Sequence, residues 1–185
     1  MIDEDNLNQP RMVAEPAYHR SAGNPFRRRL WRYGPPVLWA TLIFIGSSDL
    51  LSGYHTGKFL LGPLHWLFPH ASEATLAVVH LAIRKAGHLT EYAILAGLTA
   101  RALRTSSVEL LRKRWFWVSL TLIVVYSLTD EFHQMFVPSR GASLHDSMID
   151  TVGGFIGLVL VWLWQRRMKK DEASPADASK VTAAA

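Results

Sequence analysis

The placement of apolar residues constrains this chain more than their number does. They fall into four blocks, about Pro35 to Leu51, Ala86 to Leu103, Trp115 to Phe136 and Ser147 to Gln165, each near the roughly 20 residues that take an α-helix across a hydrocarbon core. The blocks predict an all-α, polytopic membrane protein built as a bundle of four transmembrane helices. The first block is short, and Glu91 and Arg101 lighten the second; packing against the third and fourth supports both.

Basic residues gather at the ends of these blocks. Arg27, Arg28, Arg29 and Arg32 precede the first; Arg101, Arg104, Arg112, Lys113 and Arg114 lie between the second and third; Arg166, Arg167, Lys169 and Lys170 follow the fourth. The outer connections carry far fewer, so the positive-inside rule puts both termini in the cytoplasm of a multi-pass cell-membrane protein. This clustering accounts for the net charge of +5 without nucleic acid as a partner. Cysteine is absent, which removes disulfides, zinc-thiolate sites and thiol nucleophiles and leaves the redox compartment unreadable.

Three segments follow. Residues 1–29 are polar and aperiodic, too long and too acidic for the start of a signal peptide, and read as a disordered cytoplasmic tail. Residues 30–168 form the membrane domain, with Pro35 and Pro36 in the first helical turn. Residues 169–185, rich in Ala and Ser, read as a second disordered tail. Between the first two spans, Gly53, Gly57, Gly62, Pro63 and Pro69 break the chain, while Leu60, Leu61, Leu64, Trp66, Leu67 and Phe68 make the segment apolar. It reads as an interfacial helix or loop, with a substrate lid as the other reading. Ser72 is the expected N-cap of a helix, with Glu73 in its first turn, that runs on into the second span.

The stretch from Tyr126 to Asp150, YSLTDEFHQMFVPSRGASLHDSMID, closes one apolar block and opens the next with ionisable groups. Acidic groups cost roughly 2.5 to 3.5 kcal/mol each at the centre of an inserted helix, so several together imply partners or water. At about 1.5 Å per residue, Asp130 lies roughly 22 Å along the third span, near its outer end. Asp130, His133 and Gln134 share a face there, and Glu131 is turned about 100° away. His88 and Glu91 occupy one face of the outer turns of the second span, and Asp146 and Asp150 one stripe of the fourth, continued by Gly153 and Gly157. Three helices thus bring polar groups to one level. His88, Glu91, Asp130, Glu131 and Asp150 are the candidate catalytic residues; Lys85, His133, Gln134, Arg140 and Asp146 are the candidate ligand-binding ones.

Two readings of the cluster are open. It is either a site or a structural network in which Arg140 and Lys85 neutralise the acids while His and Gln complete the hydrogen bonds. Ser139, Ser143 and His145 read as loop residues, and Tyr92 and Tyr126 as interface aromatics. As a site, the donor set suits a hard divalent metal, or a phosphate held by Arg140 and Lys85 with carboxylates as general acid or base. No cofactor is required, and no Gly-rich phosphate loop, nucleophile elbow or HExxH motif specifies a reaction. Proton-coupled transport also uses intramembrane carboxylates, but no inverted repeat is visible.

Lys85, His88, Glu91 and Tyr92 in RKAGHLTEYAIL, the stretch DEFHQMFVPSR, and Asp146, Asp150 and Gly154 in DSMIDTVGGFIG together resemble the VanZ-like family, over about Pro35 to Trp164. The resemblance implies a small bacterial membrane protein, from a family named for a member linked to teicoplanin resistance. The family's polar pattern falls on His88, Glu91, Asp130, Glu131, Gln134, Arg140, Asp146 and Asp150. The partners to expect are the bilayer and a lipid-linked envelope component or glycopeptide. The function to expect is binding or modification of an anionic or glycosylated envelope component, or a non-enzymatic accessory role in which the cluster is structural.

Overall fold

The computed structural model describes residues 24–48, 53–137 and 143–182. Arg140 and Ser139 lie outside them. Six helices follow in order: α1 Pro25–Ser47, α2 Gly53–Leu67, α3 Glu73–Arg104, α4 Glu109–Lys113, α5 Trp115–Gln134 and α6 Leu144–Thr182. The described residues contain no strand, so the chain is all-α as expected. One segment among them, Leu144–Asp171, is long and apolar enough to cross a membrane by length and composition.

Several boundaries differ from the sequence expectation, each for a local reason. α1 begins well before Pro35, because the Asn24 side chain accepts a 2.9 Å hydrogen bond from the Phe26 N–H and Pro25 fills the first helical turn. The arginine run is therefore helical, and Pro35 and Pro36 lie inside α1, where each removes one backbone donor. The glycine-rich segment after the first block forms a helix, α2, despite its breakers; buried Leu64 anchors it. α6 continues to Thr182, past Asp171, where an unstructured tail is expected; alanine, abundant there, has the highest helix propensity of any residue.

α3 is the hub, packing against each of the other five helices. Ser72 caps it by accepting from the Thr75 N–H at 3.2 Å, and the helix runs unbroken from Glu73 to Arg104. His65 of α2 joins its first turn: Nε2 lies 2.9 Å from Glu73 Oε1, and Nδ1 lies 2.8 Å from the Leu61 carbonyl. The Glu73 carboxylate, and secondarily the Leu61 carbonyl, raise the His65 pKa, because a ring that donates from both nitrogens is the imidazolium. This link is complete below the ordinary histidine pKa and is lost as pH rises through the raised one. At the opposite end of the bundle, the Tyr33 hydroxyl of α1 pairs with Ser106 Oγ at 3.1 Å, just beyond α3.

The closest packing is between α3 and α6. A methyl group on Gly153 would run into the carbonyl oxygen of Leu89, and one on Gly157 into that of Ala93. Gly153 and Gly157 are one turn apart, as are Leu89 and Ala93, so the two backbones meet along a stripe of small residues. Gly154, on the adjacent face, makes room for Ile123 of α5. Beside this seam, Ile43, Tyr92, Leu95, Ala96, Ala100, Ile123 and Leu158 form the buried apolar core.

This packing sets a stability prediction. Gly153→Ala and Gly157→Ala should each lower the stability of the purified protein in detergent by about 1 to 3 kcal/mol, since neither carbonyl can move without shifting a helix. Gly87→Ala, where a methyl meets nothing within 4 Å, should leave stability unchanged or raise it by up to about 1 kcal/mol. Thermal midpoints checked by fluorescence would overturn this interface if all three variants melted together.

Candidate functional site

Side chains from the C-terminal end of α1, the middle of α3, the C-terminal end of α5 and the N-terminal end of α6 converge around buried carboxylates. Asp130 of α5 is 2% exposed and Asp150 of α6 is 1% exposed. Both are far below the exposure usual for aspartate, so their surroundings decide what they do. The two surroundings are different.

Asp130 is held by donors from three helices. Its Oδ2 accepts from Ser47 Oγ of α1 at 2.8 Å, from Gln134 Nε2 one turn along α5 at 3.0 Å, and from the Tyr92 hydroxyl of α3 at 3.4 Å. Oδ1 is buried without a hydrogen bond. Several hydrogen bonds to one carboxylate oxygen offset part of the cost of burying it. The arrangement also ties three helices to one atom.

Asp150 has almost none of this. Both of its carboxylate oxygens are buried without a hydrogen bond. His88 of α3 approaches it, with Nδ1 3.6 Å from Oδ1, a contact of ion-pair rather than hydrogen-bond length. Asp130, Glu131, Asp146 and Glu91 all lie within electrostatic reach of Asp150. Nearby, Ser127 of α5 links to α6 through Ser147 Oγ at 2.9 Å and Thr151 Oγ1 at 3.3 Å.

The remaining sequence candidates sit around this pair. Glu131 is buried, and its Oε2 accepts from the Ser143 N–H at 2.7 Å, so it reaches the segment just before α6. Gln134 shares a face with Asp130 and bonds to it. His133 does not join them: its ring packs against Phe44 of α1 with centroids 4.2 Å apart. Glu91 lies on the exposed side of α3, where its backbone carbonyl accepts from Trp39 Nε1 of α1 at 2.9 Å. Lys85 Nζ donates to Asp146 Oδ1 at 2.9 Å, with both side chains partly exposed. Arg140 lies outside the described residues.

A small cleft of about 60 Å³ opens between α3 and α6 at this level. Arg84, Lys85, His88, Asp146 and Asp150 line it, together with Leu81 and Ile149. Its lining brings Arg84 and the Lys85–Asp146 ion pair beside the donor-poor Asp150. Among the described residues no group of three or more His, Cys, Asp or Glu side chains is placed to hold a metal ion. The chemistry this geometry supports is capture of an anion by Arg84 and Lys85, beside a histidine–carboxylate pair able to hold or take up a proton.

Two tyrosines differ from the expectation of interface aromatics. Tyr92 is fully buried and donates to Asp130; Tyr126 is half-buried and donates to the Ala40 carbonyl at 2.5 Å, which straps α5 to α1. Tyr92 had a signal, since it follows His88 by four residues and so shares its face. Ser47 and Ser147 had none beyond their place at the ends of apolar blocks.

No curated protein and no solved structure matches the chain. A family model described as VanZ/LLP1 matches residues 35–165, the span from the middle of α1 to α6 that contains every residue of the carboxylate cluster. The chain therefore belongs to the VanZ/LLP1 family.

Proposed function

We propose that this is a four-span membrane protein that binds the anionic headgroup of an envelope lipid or lipid-linked precursor in the cleft beside Asp150. Both termini lie on the cytoplasmic side, and the site faces the outer leaflet. The spans are α1, the part of α3 from about Ala86, α5 and α6. What supports this is an inside-out arrangement: Asp130, Asp150, Ser119 and Ser127 are buried, while Leu42, Phe44, Leu122, Val125, Phe132, Phe155 and Leu160 are exposed. Water would favour the reverse, and hydrocarbon favours this one.

The observation that carries the binding reading is Asp150. A buried carboxylate with no donor, in a cleft rimmed by Arg84 and Lys85, is incomplete by itself. A phosphate-bearing headgroup would complete it, with its anionic oxygens on the two cations and a hydroxyl or acidic proton toward Asp150 and His88. Through the VanZ resemblance, the consequence of such binding is lowered susceptibility to teicoplanin-type glycopeptides.

A second reading, a non-enzymatic accessory protein with a structural cluster, has its own support in Asp130, whose Oδ2 joins three helices. The two carboxylates separate the readings. Asp130→Ala strands three buried donors and should cost about 3 to 5 kcal/mol, read as loss of protein from the membrane fraction. Asp150→Asn and Lys85→Gln should leave membrane abundance near wild type and abolish any protection against glycopeptide in expressing cells. Wild-type protection by both variants at equal abundance would sink the binding reading and leave the accessory one.

Orientation has a separate check, made simple by the absence of cysteine. With His70→Cys and Ser107→Cys, both at exposed positions, an impermeant maleimide added to intact cells should label residue 70 and leave residue 107 until the membrane is opened. The opposite pattern would invert the topology.

A further inference from the structure

The basic end of the bundle holds a second cleft, of about 510 Å³, between the first turns of α1 and the end of α3. Arg27, Arg28 and Arg32 of α1 and Arg101 of α3 line it, with Asn24, Trp31 and Thr105, and among the described residues no carboxylate does. Sequence composition places Arg27 and Arg28 in a structureless tail. The Asn24 cap and Pro25 instead start α1 early, so these guanidinium groups are carried on a helix facing another helix.

Arg28 and Arg32 are one turn apart, and like charges at that spacing repel. Four guanidinium groups around one cleft with no acid among its lining residues are complementary to an external anion, and their fork of donors matches phosphate oxygens. Interleaved with them on α1, Phe26, Leu30 and Trp31 are strongly exposed. A free phosphate would satisfy the arginines and leave those three side chains in water. A phospholipid satisfies both sets, its phosphate on the arginines and its acyl chains against the apolar residues.

We propose that this cleft binds the phosphate of an anionic phospholipid in the leaflet opposite the carboxylate site. It is a docking point for bilayer lipid, distinct from the headgroup site beside Asp150, and it rests on the membrane reading above. The bound lipid would fix α1 against α3 at the end where Tyr33 bonds to Ser106.

The test uses the full chain, purified in maltoside detergent and given equimolar cardiolipin and phosphatidylcholine, with retained lipid read by native mass spectrometry. Wild type should retain cardiolipin over phosphatidylcholine. The variant R28Q/R32Q/R101Q should retain roughly tenfold less, whereas K113Q/R114Q, at another basic part of the same end, should match wild type. R27Q/R101Q, a milder change, should show an intermediate loss, and guards against failure of the triple variant to fold. Equal loss in K113Q/R114Q would show that net charge rather than the cleft holds the lipid, and would overturn the proposal. So would displacement of cardiolipin by millimolar inorganic phosphate, which would make this a free-anion site. Because binding in detergent does not depend on orientation, a failure here is distinct from a failure of the maleimide pattern.

Discussion

Backbone contact between α3 and α6 sets the position of everything else in the site. Lipid tails are as apolar as leucine, so burial of apolar surface does little to bring helices together within a bilayer, and close van der Waals packing carries more of the association. Gly153 and Gly157 let α6 approach Leu89 and Ala93 so closely that no side chain fits between. His88 precedes Leu89, and Asp150 lies three residues before Gly153. The same contact that joins the helices therefore brings the imidazole to 3.6 Å from the carboxylate. A larger residue in the stripe would move the pair apart before it touched either member.

With that seam fixed, the two aspartates divide the work. Asp130 is on α5, which faces the seam from the side, and there it gathers Ser47, Gln134 and Tyr92. Three donors on one oxygen offset much of the cost of burying it, and the group becomes a joint between α1, α3 and α5. Asp150 sits on α6 where the glycine stripe leaves little room for polar neighbours. Its burial is not offset by hydrogen bonds from the described residues. A carboxylate in that condition is costly to maintain for stability alone, and in the proposed membrane arrangement that cost is the argument for a functional role.

The level of the cluster was legible in the sequence because depth depends only on rise per residue and on where basic residues stop a span. The helical faces were legible for Asp130 with Gln134 and for Gly153 with Gly157, each pair four residues apart. What sequence could not resolve was which aspartate would be rich in donors. That depends on Ser47, 83 residues away in the chain, and on the rotation of α3 that turns Tyr92 inward. His133 shows the converse: its spacing put it with Asp130, yet the nearness of α1 gave it Phe44 as a neighbour instead. The start of α1 was missed for a smaller reason, since a single Asn-Pro step before the arginine run outweighed the polar composition around it.

Depth also explains why one end of the molecule holds carboxylates and the other guanidinium groups. Counted along each helix, His88 lies about 24 Å from Arg104 at the end of α3, Asp130 about 22 Å from Trp115 at the start of α5, and Asp150 about 24 Å from Arg166 within α6, at 1.5 Å per residue. Three helices of different length and direction agree to within one turn. In the four-span arrangement proposed above, with a core about 30 Å thick, that level would be just inside the outer boundary, where a side chain is shielded from bulk water but a headgroup can still reach it. Lys85 and Asp146 are each about one turn further along, which would put their ion pair at the boundary itself. α3, at 32 residues or about 48 Å, is longer than such a core, so in that arrangement its first turns would stand clear of it, where α2 packs. In that proposed arrangement, with cations near the interface and a bare carboxylate one turn below, the fitting ligand is one itself anchored in the outer leaflet, because it would arrive at that depth without leaving the membrane.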